Sequence, residues 1–322
     1  MRPKVSVIIP VYGVEKYIER CARSLFSQTL DSIEYIFIDD CSPDTSIQIL
    51  KKTLEDFPDR EGQVKIIAMP ENSGQAAVRI QGIKFAAGEY VIHCDSDDWV
   101  DVTMYEDLYN EAVLHKSDIV MCDYYISKSP DDDSHVMQDV DTRPSELMHG
   151  LLMEKVHGSV WNKLVKRELY DNDIIYPEHN LREDLALMIQ LVYYANSIGY
   201  ISKPYYHYFC NPESITQKSL SMEKSLDRGM QAIHNCQLMS VFLSRQACLH
   251  TYRSELMSMM LRLKNNVASL TGTKEGRQKW GQLLPELTMF EALSSEASLR
   301  EKCVYLLAYF RLYNVLKRIL MR

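Results

Sequence analysis

The sequence predicts an α/β fold: a mostly parallel sheet with helices on both faces, followed by a helical C-terminal extension. Three observations carry this. Short β-branched runs alternate with segments of helical period over the first hundred residues. Each strand-like run ends in turn residues or in aspartates. The last third has little Gly or Pro and long helical periodicity. Strands joined through helical crossovers pair in parallel, and ligands in such sheets bind beyond the carboxyl ends of the strands.

Each element follows in order. "KVSVIIPVYG" is a strand and then a turn, ended by Pro10 and Gly13. Ile18, Cys21, Ala22, Leu25 and Phe26 recur at helical spacing. "IEYIFIDDCS" is a second strand, closed by Ser42-Pro43-Asp44-Thr45, which supplies turn and N-cap chemistry. Ile47, Leu50, Leu54 and Phe57 mark the next helix, and "QVKIIAM" is a third strand. "GQAAVRIQGIKFAAG" is a helix that ends at Gly88, and "EYVIHC" is a fourth strand. The pattern loosens after about residue 102. Segment 127–145 reads as a polar surface loop with its Asp131–Asp133 run solvated. Helical patterns mix with aromatic-rich pieces from 146 to 215, and the rest is helical. The expected units are 1–101, 102–215 and 216–322, with no internal repeat.

Bulk properties narrow the class. The 322 residues suffice for a sizeable core and for two packed units. A net charge of -8 is no electrostatic match for nucleic acid. None of the eight cysteines has C-x-x-C spacing, which argues against zinc. The first apolar run is too short for a signal peptide, and no stretch reaches transmembrane length. A reducing, cytoplasmic setting is the expectation.

The chemistry concentrates in "GEYVIHCDSDDWVD", where Asp95, Asp97, Asp98 and Asp101 follow a strand directly. The glycines of a dinucleotide site are missing after the first strand, and so is any Walker A pattern. Acidic side chains reach a diphosphate only through a divalent cation, Mn²⁺ or Mg²⁺, shared between carboxylate and phosphate oxygens. In extended backbone, residues i and i+2 point the same way, so Asp95 and Asp97 can face one cation together. Asp98 or Asp101 also fits as the cap of a following helix.

"VSVIIPVYG", "FIDDCSPDTS", "NSGQAAVRIQG" and "DSDDW" occur in the order and spacing of family 2 glycosyltransferases of the GT-A fold, which the chain resembles closely over residues 4–101. The likeness continues more loosely through "WNKLVKREL" and "LREDLALM" to about residue 215, where it is similar to bacterial enzymes that build capsular or lipopolysaccharide chains. The resemblance implies a nucleotide-sugar donor, a UDP-sugar, and a glycan or lipid-linked glycan acceptor. It implies that Pro10 and Tyr12 hold the base and ribose, that Asp40 accepts a hydrogen bond from the uracil, and that Asp39 helps shape that pocket. Asp95 and Asp97 match the metal-binding D-x-D. Arg79 matches a position near the nucleotide, although a surface salt bridge on its helix is the plainer alternative.

Inversion needs a carboxylate on the face opposite the leaving group. The resemblance assigns that base to Asp184, with Glu183 as runner-up; a dipole-favoured acidic pair at a helix start is the alternative. Trp161 fits either acceptor stacking or the core. His207, in "PYYHYFCNPESIT", fits either diphosphate contact or packing among tyrosines. The segment 302–322 carries Lys302, Arg311, Lys317, Arg318 and Arg322 with no acidic residue, and reads either as a membrane-surface helix or as a packed terminal helix. Two rivals remain. One is a catalytically idle partner that binds glycan or nucleotide, against which the intact aspartate set argues. The other is a nucleotidyltransferase, whose Gly-rich basic loop "PVYGVEKY" does not supply.

Overall fold

The computed structural model describes residues 2–129, 131–211 and 222–314. The first part runs β1 (Val5–Val11), α1 (Ile18–Phe26), β2 (Ile33–Asp39), α2 (Ser46–Leu54), β3 (Val64–Ala68), α3 (Gln75–Phe85) and β4 (Tyr90–His93). The middle holds β5 (Trp99–Val100), α4 (Met104–His115), β6 (Ile119–Ser129), β7 (Asp132–Val136), α5 (Pro144–Leu152), β8 (Lys163–Lys166), α6 (Glu183–Tyr194) and β9 (Ile198–Phe209). The last part is helical: α7 (Met222–Arg245), α8 (Arg253–Asn266), α9 (Lys274–Gln282), α10 (Met289–Ser294) and α11 (Leu299–Tyr309).

The strands form a mixed sheet in the order β3-β2-β1-β4-β8-β6-β9-β5, with β7 paired to β6. The β3-β2-β1-β4 half is parallel throughout, with Val7 opposite Tyr35 and Ile92. Beyond β4 the pairs β4–β8, β8–β6 and β9–β5 are antiparallel, and β6–β9 is parallel. Both faces are covered because successive residues alternate between two cores. Val5, Val7, Ile9 and Val11 pack with Leu25 of α1 and Met104 of α4. Ile8 faces the other way, toward Val78 and Ile83 of α3. That second core continues without a break through Leu151 of α5 and Met188 of α6 to Phe242 of α7 and Met260 of α8. Trp280 and Tyr305 extend it, and the Trp280 indole N–H donates to the Lys264 carbonyl at 3.0 Å.

Three expectations need correction. Pro10 lies inside β1, not at its end. Its nitrogen faces the side on which the Ile8 carbonyl meets Cys94 N–H, where the β4 ladder has just ended, so no sheet bond is lost. Segment 127–145 is not a plain loop: β6 runs to Ser129 and β7 pairs back on it. A polar composition marks an outer strand here. Within it, Asp133 is not free in solvent; it pairs with His207 at 3.0 Å and accepts the Ser127 hydroxyl. The third concerns the caps. Asp98 and Asp101 leave the α4 N-cap to Thr103, which makes no side-chain cap bond.

Among the described residues no helix is long and apolar enough to cross a membrane. Residues 315–322, with Lys317, Arg318 and Arg322, lie outside the described residues, as do 212–216 of the segment that follows His207. Within α11, Tyr305 and Ala308 are buried, whereas Tyr309 and, just past it, Phe310 and Leu312 are exposed.

Candidate active site

The adjoining ends of β1 and β2 carry the first group of residues, with Val11 opposite Asp39. Tyr12 is exposed. Asp39 accepts the Ser42 N–H at 2.8 Å. Asp40 is buried, and its two oxygens accept the N–H groups of Ser73 (2.7 Å) and Gly74 (2.9 Å). It thereby ties β2 to the start of α3. Gly74 has φ +82°, and a Cβ there would come within 2.5 Å of the Asn180 amide, so only glycine fits this turn. Asn180 in turn accepts the Ala76 N–H at 3.0 Å.

One turn into α3, Arg79 is buried rather than on the helix surface, which corrects the salt-bridge alternative. Its Nη2 lies 3.0 Å from Asp95 Oδ1; its Nε lies 3.2 Å from Asp184 Oδ1 and 3.7 Å from Glu183 Oε1. Burial opposes its charge, but Asp184, Asp95 and Glu183 outweigh that and hold the guanidinium charged more firmly than usual. The surrounding acids remain strained by crowding. Burial, and then Asp184, pushes the Glu183 carboxyl well above the usual range. Burial also raises Asp95, against the opposing pull of Arg79. Arg79 Nη1 and Asp184 Oδ1 are buried without a hydrogen-bond partner among the described residues.

Residues 95–98 form a turn closed by Asp98 N–H to the Asp95 carbonyl at 3.1 Å, so the extended-backbone geometry expected for the D-x-D does not hold. Asp95 also takes the Gln75 amide at 3.3 Å, and Asp97 takes the Asn211 amide at 2.9 Å. Burial raises the Asp97 carboxyl. Among the described residues, no group of three or more His, Cys, Asp or Glu could hold a metal. Asp95 and Asp97 offer two carboxylates. Asp98 is spent internally, accepting the Tyr206 hydroxyl at 2.6 Å and the Phe209 N–H at 2.7 Å.

Gln75, Arg79, Asp95, Glu183 and Asp184 line a cavity of about 560 Å³ together with Tyr124, His157, Trp161 and Tyr208. Trp161 is a core side chain that also borders the cavity. It stacks on Tyr206 at 4.3 Å, is only 3% exposed, and still forms cavity wall. His207 does not line the cavity. It is stacked between Trp99 (4.8 Å) and Tyr125 (4.7 Å) and faces Asp101 at 3.2 Å and Asp133 at 3.0 Å.

Beneath the wall, Lys163 is fully buried. Its ammonium donates to the carbonyls of His157 and Ser159 and to Asn162 Oδ1, each at 2.8 Å. Burial lowers it from its ordinary 10.5 to about 7, with Asp184 opposing. Sequence reasoning assigned no role to Lys163, Gln75 or Asn180. The two amides carry no charge signal, and Lys163 sits in "WNKLV" without a nearby acid.

A family model described as glycosyl transferase family 2 matches residues 6–177. The putative glycosyltransferase EpsH of Bacillus subtilis is 30% identical over 330 residues, covering 96% of this chain and 92% of that one. The structure is similar to that of S. aureus TarS 1–349 in complex with UDP-GlcNAc, with a TM-score of 0.59 at 20% identity over 97% of this chain and 88% of that one. It is also similar to the mannosyltransferase PcManGT of Pyrobaculum calidifontis in complex with GDP-Man and Mn²⁺, with a TM-score of 0.53 at 14% identity over 97% and 87%. These likenesses show the GT-A fold, and the matched residues carry β1 to β4, Arg79 and the D-x-D turn. The chain belongs to glycosyl transferase family 2.

Proposed function

We propose that the chain transfers one sugar, with inversion, from a UDP-sugar to a hydroxyl of a glycan or lipid-linked glycan. One observation carries this: Arg79 joins Asp95, just past β4, to Asp184, at the start of α6, and all three line one cavity. Arg79 Nη1, a buried donor without a hydrogen bond among the described residues, is costly to leave open unless a ligand completes it. Asp184 takes the proton of the acceptor hydroxyl. The hydroxyl oxygen attacks the anomeric carbon from the face opposite the diphosphate, and the bond to the diphosphate breaks with its electron pair. Glu183, pushed well above the usual range, holds a proton more readily and is less available to take one.

Pro10, Tyr12, Asp39 and Asp40 frame the base and ribose, Asp40 through its hold on Ser73 and Gly74. Trp161 and Tyr124 offer aromatic surface to a sugar. The donor set fits Mn²⁺ or Mg²⁺: Asp95 and Asp97 are both raised by burial, a cost that a cation relieves, and the donor phosphates would complete its shell. When bound, the cation neutralises charge on the departing diphosphate. The solved complexes of TarS with UDP-GlcNAc and of PcManGT with Mn²⁺ support these choices.

Screening UDP-sugars for hydrolysis with Mn²⁺, Mg²⁺ or excess chelator tests the assignment. Metal-dependent hydrolysis is expected. Binding of UDP with no turnover of any UDP-sugar would favour an idle binding partner. We further propose that segment 302–322 meets the cytoplasmic face of a membrane. The exposed Tyr309, Phe310 and Leu312 beside Arg311 support it. Vesicle co-sedimentation that persists after deletion of 310–322 would remove this contact.

A further inference from the structure

A second groove, of about 480 Å³, adjoins the catalytic cavity, and Glu154 and Arg182 line both. Three arginines reach this groove: Arg182 just before α6, Arg262 on α8 and Arg300 on α11. Glu154 bridges two of them. One of its oxygens pairs with Arg182 Nη1, and the other lies 3.6 Å from Arg262 Nε. Glu154 and Arg182 both hold left-handed backbone, with φ of 60° and 65°. That conformation strains a non-glycine residue, and such strain gathers where ligands are handled. Here it sits where the two cavities meet.

The remaining charges are unevenly used. Glu301, the other carboxylate of the groove, accepts the Ser298 N–H at 2.7 Å as part of the α11 capping box. Arg300 has no ion-pair partner among the described residues. Apart from its pairing with Glu154, Arg262 Nε is buried without a hydrogen bond among the described residues, and so is Asn265 Oδ1. A carboxylate held between two guanidinium groups occupies the position that a phosphate also suits, with two oxygens presented to two donors. A neutral sugar hydroxyl can take one such donor, but it returns no charge to the arginines.

We propose that this groove binds a phosphate group of the acceptor, as a diester or a diphosphate, and so sets which acceptor hydroxyl reaches Asp184. The inference rests on the cavity being the catalytic site. The acceptor class is then a phosphate-bearing glycan or polyol rather than a neutral one.

The test titrates inorganic pyrophosphate into protein saturated with UDP and Mg²⁺, read by calorimetry. Binding should weaken as salt rises, because exposed charges are screened. R300Q should lose about tenfold in affinity, the scale of one charge-assisted contact, and R300E more. Arg300 is exposed and stands outside the catalytic cavity, so both variants should keep the melting temperature and the donor hydrolysis of the wild type. A soluble glycerol-phosphate oligomer that displaces pyrophosphate would identify a phosphodiester polymer as the source. Retention on phosphatidylglycerol vesicles that R300E loses would identify a lipid headgroup. Equal pyrophosphate affinity in wild type, R300Q and R300E overturns the proposal. A wild type that binds pyrophosphate but hydrolyses no UDP-sugar strikes the catalytic assignment alone.

Discussion

The stretch from Asp95 to Asp101 feeds two acidic clusters that behave in opposite ways. In the first, Asp95 joins Glu183 and Asp184 around one cation, Arg79, whose Nη1 has no hydrogen bond among the described residues, and all four line a cavity. In the second, Asp101 joins Asp133 around His207, which two aromatic rings enclose. Both gather carboxylates around one basic side chain. What differs is the basic partner and the access. Arg79 and its three carboxylates open on the cavity, whereas the His207 cluster is closed off from it: His207, Asp101 and Asp133 do not line it.

The largest expected effect comes from breaking the open cluster. Asp184→Asn keeps the shape and removes the base, so turnover should fall about a hundredfold or more, with UDP affinity unchanged. Asp101→Asn, the matching change in the closed cluster, should leave turnover within about threefold; an equal loss in both would erase the distinction. Next, Arg79→Gln removes the shared cation and leaves buried carboxylates uncompensated. A loss of about 3–5 kcal/mol in denaturant unfolding is expected, the scale of breaking a buried pair. A change below about 1 kcal/mol would mean that the three acids do not depend on Arg79.

The third prediction concerns Lys163 below the open cluster. Its folded pKa of about 7 lies under the ordinary 10.5. Between those values the unfolded chain binds the proton and the folded chain does not, so stability from this group rises with pH from about 7 upward. Below that window both states carry the proton and the slope vanishes. The melting temperature of the wild type relative to Lys163→Met should therefore climb from pH 7 to pH 9. A fall would show that the ammonium is stabilised in the fold. The smallest effect belongs to the closed cluster: His207→Asn should cost about 1–2 kcal/mol of stability through lost packing and hydrogen bonding, with kcat/KM nearly unchanged.

Much of the first half was legible because both faces of the sheet are covered, which makes β1, β2 and β4 read as continuous apolar runs. The D-x-D stretch stood out as charge at a strand end. The sharing of Arg79 was not legible. It depends on contacts between α3, β4 and α6, and helical spacing alone cannot tell a buried arginine from an exposed one. Strand β7 was missed because four of its five residues are polar, with none of the apolar alternation that marks a half-buried strand. Asp40 was read as a ligand contact; its two backbone partners, Ser73 and Gly74, come from a loop that pairs with it only once β2 and α3 are in place.

The unbroken core from α5 and α6 into α7 and α8 limits how this protein can be recombined. Leu151, Met188, Phe242 and Met260 fill one apolar layer, so a chimera joined near residue 216 would set two unmatched halves of a jigsaw face to face. Overpacking or voids at such a seam cost several kcal/mol, a large share of a domain's stability. Exchange with a relative succeeds only if α5, α6 and the later helices move together. Arg182, Arg262 and Arg300 travel in that same block, so whatever they recognise is transplanted with the scaffold that holds it.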